Sequence, residues 1–156
     1  MSQFNKICLF AGLMAFAFFL SFLKYDFAQA SEGHDEVELA EYMGYLQRFS
    51  QKLGFSIQGK NLKLSEFYLH EIEEILDEVK EVETYDGVPI AKNVAVHILP
   101  KVEILEKTVK KSDWVESKKS YESFIAGCNS CHVATKHEFI KILPSSGVPP
   151  FNQKFD

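Results

Sequence analysis

Five consecutive residues carry the clearest chemistry in this 156-residue sequence: Cys128-Asn129-Ser130-Cys131-His132. Two thiols three positions apart, followed at once by an imidazole, form the C-x-x-C-H pattern by which c-type haem is attached. Cysteines at this spacing can add to the two vinyl groups on one edge of a porphyrin, and the adjacent imidazole can reach beneath the ring to the iron. The motif therefore predicts one covalent haem c, with Cys128 and Cys131 as attachment points and His132 as the proximal metal ligand. Three other readings compete. A thioredoxin-like dithiol needs its cysteines between a strand and a helix, and the preceding segment is helical instead. A zinc site recruiting Cys128, Cys131, His132 and His137 lacks the long loop that normally separates cysteine and histidine pairs. The third is a chance occurrence of three fixed letters.

The N-terminal segment bears on the same chemistry. Residues 7–23 are uncharged and follow Lys6, and Ala28-Gln29-Ala30 has the small-x-small form read by signal peptidases. The expectation is a signal peptide over 1–30, cleaved after Ala30, with export to the periplasm or an equivalent space; an uncleaved anchor is the alternative. Cleavage removes Cys8, so the exported chain keeps only Cys128 and Cys131. A bridge between them would close a tiny loop and constrain little of the unfolded chain, so they need another purpose.

Without residues 1–30 the chain has 15 basic side chains against 21 acidic, a net −6. That excludes nucleic acid as a natural partner, since no basic excess is available to displace counterions. The charge is uneven, being −8 over 31–99 and +2 over 101–141. Lys110, Lys111, Lys118, Lys119, Lys136 and Lys141 fall in the haem-bearing half, where an acidic redox partner is expected to dock; the bland reading is a solvated helix face.

Helices must position these groups. Leu39, Tyr42, Met43, Leu46, Phe49 and Leu53 share one face of a first helix over 35–54, with Gly54 and Gly59 at its end and turn. Leu64, Tyr68, Ile72, Ile75, Val79 and Val82 stripe a second over 62–84, which Tyr85-Asp86-Gly87-Val88-Pro89 ends. A third over 90–110 contains Pro100, which should kink or divide it. A fourth starts at Ser112, as N-cap, and runs to Lys136. With no convincing strand alternation, the predicted fold is all-α: an antiparallel four-helix bundle over 31–143, with a proline-rich extended tail over 144–156 packed back through Phe151 and Phe155. Helical phase brings Trp114, Tyr121 and Ile125 to the same side as His132, so Trp114 and Tyr121 are expected in the haem wall; both would also serve as ordinary core aromatics.

In its helical pattern and the late position of Cys128 to His132, the chain resembles the class II cytochromes, meaning cytochrome c prime and its low-spin relatives. The resemblance covers residues 35–136. It implies an exported four-helix bundle enclosing one haem, and for the low-spin relatives a methionine on the first helix as sixth ligand. Met43, the one methionine after residue 30, holds that position; as a core residue it would simply fill a gap beside the ring. The 24 residues after His132 depart from the family, as does the lack of a placeable basic group near the haem, Arg48 being the only arginine. Both point to a divergent branch.

Of the other histidines, His34 lies in the leading segment, His70 faces away from its stripe, and His97 is a secondary candidate for sixth ligand. His137, about 140° around a continuing helix from His132, is expected at a propionate or a tail carboxylate. No Glu-x-x-His pair supports a di-iron centre. The expected function is single-electron transfer between redox proteins with no bond-making catalysis, by a monomer or a homodimer. The alternative is a haem protein with an open sixth position that binds nitric oxide or carbon monoxide.

Overall fold

The computed structural model describes residues 39–156. The expected signal peptide, its cleavage point, His34 and the start of the first helix lie outside the described residues. Those described are predominantly helical, and none of their helices is long and apolar enough to cross a membrane.

Helix α1 occupies residues 39–58 and continues past Gly54, where the sequence predicts the helix to end. A Cβ at Gly54 would lie 2.4 Å from Ser145 Oγ and 2.5 Å from the Tyr121 hydroxyl. Glycine here therefore permits close packing and does not terminate the helix. Gly59 plays a similar part in the following turn, where a Cβ would lie 2.4 Å from the Phe155 carbonyl oxygen. The chain reverses through Lys60 at φ 54°. Asn61 then caps α2 (Leu62–Val79) by accepting from Leu64 N–H at 3.1 Å.

Helix α2 ends at Val79, five residues before the expected point. The carbonyls of Val82 and Glu83 accept from Ala91 and Ile90 N–H, so these residues join the start of the next helix instead of extending α2. Between them β1 (Thr84–Tyr85) and β2 (Val88–Pro89) form a two-stranded antiparallel hairpin. Asp86 at φ 49° and Gly87 at φ 71° give the two positive-φ positions of a tight hairpin turn. Strands of two residues are too short to leave an alternation in the sequence.

The segment over 90–110 is divided into α3 (Ile90–His97) and α4 (Leu99–Lys110), with Ile98 at the break and Pro100 in the first turn of α4, where its missing N–H costs no helical bond. Helix α5 (Trp114–Ala134) is capped by Asp113, which accepts from Glu116 N–H at 3.1 Å. The expected cap, Ser112, lies one residue earlier at φ 53°. α5 packs on both α3 and α4, and α2 contacts the same pair. Gly127 admits a close approach of α5 to the end of α3, since a Cβ there would stand 2.6 Å from the His97 carbonyl oxygen. α1 meets α2 through Phe49 and Tyr68, with ring centroids 6.1 Å apart, and through the buried pair Ser56 and Ser65, whose hydroxyls are 2.9 Å apart.

Residues 140–156 form an irregular strap. The Ser145 hydroxyl donates to the Gln51 carbonyl at 2.7 Å, while Tyr121 O–H lies 2.8 Å from Ser145 Oγ and accepts from Ser145 N–H at 3.1 Å. Because Ser145 has one hydroxyl proton, given to Gln51, Tyr121 is the donor in its pairing with Ser145 Oγ. Farther on, Tyr68 O–H donates to Gln153 Oε1 at 2.8 Å, and the Phe155 ring packs 5.5 Å from that of Phe55.

Candidate functional site

A cavity of about 410 Å³ opens at the end of the molecule where α1 begins and α5 finishes. Its size falls in the range of small-molecule and cofactor sites. α1 contributes Leu39, Met43, Leu46 and Ser50, at spacings of four, three and four, and α5 contributes Phe124, Cys128 and Cys131, followed at the same spacing by its C-cap Thr135. Each set is one stripe of its helix. Leu76, Tyr85, Ile90 and Val94 close further sides, and the wall is mostly apolar.

Cys128 and Cys131 are free thiols on this wall. Burial pushes the Cys128 thiol up to about 12, with the neighbouring Cys131 adding to the effect, and burial also raises Cys131. Both thiols are thus held protonated. A dithiol oxidoreductase depends on the opposite arrangement, a thiolate stabilised near neutral pH.

His132 borders the same cavity, and its Nδ1 lies 2.9 Å from the Ile140 carbonyl oxygen. A carbonyl can only accept, so Nδ1 carries a proton, and in the tautomer this selects the free lone pair is on Nε2. That is the arrangement in which a histidine ligates a metal, with the far nitrogen anchored by a backbone carbonyl. Asn129 reinforces it: its Nδ2 donates to the Ile142 carbonyl at 2.9 Å, and its Oδ1 accepts from Ile142 N–H at 2.8 Å. Among the described residues, no three His, Cys, Asp or Glu side chains converge to hold a metal ion. The proposed zinc quartet of Cys128, Cys131, His132 and His137 is therefore not assembled.

Comparison with protein-family models, curated proteins and solved structures finds no match. The site must be read from its own geometry.

The structure brings Cys128, Cys131, His132 and Met43 to one cavity and leaves Trp114 and Tyr121 away from its wall. Their phase around α5 matches that of His132, but eighteen and eleven residues at 1.5 Å each set them about 27 and 16 Å back along the axis. Trp114 packs against the core, and Tyr121 is buried in the Ser145 network. Phe124, Tyr85 and Ile140 supply large apolar wall groups instead.

His97 ends α3 and does not line the cavity. His137 does, because α5 stops at Ala134 and Lys136 turns the chain at φ 62°, so helical phase no longer governs it. Its Nδ1 donates to the Thr135 carbonyl at 2.7 Å, and its ring lies 5.8 Å from both Tyr85 and Phe139. His70 is exposed, beside Glu74 at 3.3 Å. The six lysines do not make one patch, since Lys110 and Lys111 lie beyond the far end of α5 from the cavity. Lys110 and Lys119 are also paired with Glu106 and Glu116.

Cys128 and Cys131 face one cavity, His132 has its ligating nitrogen left available, and the enclosure is apolar. These groups fit a covalently held haem: the cysteines as tethers, His132 as proximal ligand and Met43 as the candidate on the other principal wall.

Proposed function

We propose that the chain is an exported monohaem cytochrome c, an antiparallel four-helix bundle with a C-terminal strap, that carries single electrons between redox proteins. The observation that carries this reading is the meeting of Cys128, Cys131 and His132 on one apolar wall, with His132 Nδ1–H anchored on the Ile140 carbonyl. When bound, the haem supplies reversible one-electron exchange at its iron. The chain's residues perform the remaining tasks. Cys128 and Cys131 fix the ring edge to α5, Ile140 orients and polarises the imidazole of His132, and Phe124, Val94 and Leu46 exclude water. Met43, on the α1 wall of the cavity, would supply the sixth ligand, a thioether that would raise the potential and favour electron transfer over gas binding. The bundle reading is supported by the breaks between helices at residues 59–61, 84–89 and 111–113 and by the packing of α2 and α5 on α3 and α4.

The test is direct. Purify the exported protein, denature it, extract with acidified organic solvent and weigh the intact chain. The expected mass exceeds that of polypeptide 31–156 by one haem, with the pigment retained on the protein; a bare-chain mass with all pigment extracted rejects the reading. Met43→Ala should abolish the weak near-infrared sulfur-to-iron band of the oxidised protein, lower the potential and admit carbon monoxide to the reduced protein. If the unaltered protein lacks that band and binds carbon monoxide readily, gas binding replaces electron transfer.

A further inference from the structure

The 24 residues after His132 have a local task that the motif itself does not reveal. The strap folds back antiparallel to α5, meeting it at three successive places: Ile140 at His132, Ile142 at Asn129 and Ser145 at Tyr121. Between the first two places the strap advances two residues while α5 goes back three. An extended pair spans about 7 Å and three helical residues about 4.5 Å, so the side chains of Asn129 and His132 can reach alternate backbone groups of one segment.

We propose that Asn129 is a positioning residue for His132. Its side-chain amide clamps both backbone groups of Ile142, and this holds the Ile140 carbonyl against His132 Nδ1–H. Asparagine suits the task because it offers a donor and an acceptor from one rigid amide, matching the N–H and C=O of a single residue. Both bonds have ordinary hydrogen-bond lengths, 2.9 and 2.8 Å, and they span thirteen residues of sequence. The turn that leads to the strap is itself tied, through His137 N–H to the His132 carbonyl at 2.7 Å and Ile140 N–H to the His137 carbonyl at 2.9 Å. The acceptor of His132 therefore has one fixed support at the turn and a second at Asn129. Asn129 does not line the cavity; it acts through the carbonyl two residues from the one it grips. The proposal rests on the haem reading for its effect on potential, but the clamp itself does not.

The experiment uses the purified full chain with Asn129→Ala, and Ser130→Ala as control. Ser130 is an exposed neighbour whose hydroxyl donates to the Ala126 carbonyl within α5. Hydrogen exchange is followed at Ile142 N–H and at His132 Nδ1–H, and the reduction potential is measured. Asn129→Ala should speed exchange at both sites by about tenfold, the scale of one or two lost hydrogen bonds, while α2 amides such as that of Ile72 stay unchanged. The potential should rise, because a carbonyl pulling on Nδ1–H makes the imidazole a stronger donor to the oxidised metal. Ser130→Ala should alter none of these. Unchanged Ile142 exchange overturns the proposal, and so does faster Ile142 exchange with the potential and His132 Nδ1–H exchange unmoved. If Asn129→Ala does not accumulate folded, the unaltered protein decides, since an unprotected Nδ1–H or Ile142 N–H overturns the clamp. A bare-chain mass would defeat the haem reading separately, while Ile142 exchange on that chain still tests the clamp.

Discussion

Burial determines what the two thiols of α5 can do. With Cys128 pushed up to about 12, the thiolate fraction near pH 8 is about a thousandfold below that of an ordinary thiol titrating near 8.5. In chain that carries no haem, alkylation of Cys128 at pH 8 should therefore be slower than in the unfolded chain by about that factor, and should accelerate about tenfold per pH unit up to about pH 12. Mass-spectrometric counting of labelled sites checks this, and equal rates in folded and unfolded chain would contradict it. The same burial separates what was legible here from what was not. Cys128, Cys131 and His132 declare themselves because their chemistry resides in side chains a few letters apart. Met43 could be placed because the first helix keeps a regular stripe. The carbonyl of Ile140 has no letter of its own, and the role of Asn129 depends on backbone groups thirteen residues away. Trp114 and Tyr121 share the angular phase of His132 but stand about 27 and 16 Å from it along the helix axis, which a phase pattern does not register.

Among the helices, backbone leaves little tolerance where α5 crosses the α3–α4 break. Gly127 faces the His97 carbonyl at a distance no Cβ accepts, and Lys101 Cδ stands 2.5 Å from the same point. The lysine chain can swing away, but the backbone carbonyl cannot. Gly127→Ala should destabilise the fold by about 1–3 kcal/mol, the usual cost of overpacking, seen as a lower denaturant midpoint with an unchanged slope. The opposite is expected at Ser117, buried in the same helix with a hydroxyl that lacks a hydrogen-bond partner. Ser117→Ala removes an unpaired polar group and should stabilise by about 1 kcal/mol, read from the same titration. The helical segments were legible from their stripes, and Pro100 marked the division of the third. The early end of α2 was not, because Val82 follows the apolar period while its carbonyl and that of Glu83 accept from the first two N–H groups of α3.

For the whole molecule, charge near the cavity differs from the charge of the chain. Lys136 and Lys141 lie at the end of α5 that carries the site, whereas Lys118 and Lys119 sit about 20 Å back along the axis. Electron transfer with an acidic partner should slow as ionic strength rises, and Lys136→Glu with Lys141→Glu should remove that dependence while Lys118→Glu leaves most of it. Stopped-flow rate constants across a salt series distinguish these outcomes. The strap has a kinetic consequence as well. Its Ser145 and Gln153 bond to Gln51 and Lys52, partners 94 and 101 residues earlier in the chain. Synthesis runs from the N-terminus, so α1 is made long before the residues that hold it, and such contacts require closure of nearly the longest loops in the described chain. During that delay the two thiols and His132 have been made but the segment that overlies them has not closed. On the proposed haem reading, a large flat cofactor delivered then would reach Cys128, Cys131 and His132 before Ile140 and Ile142 take their places in the cavity wall.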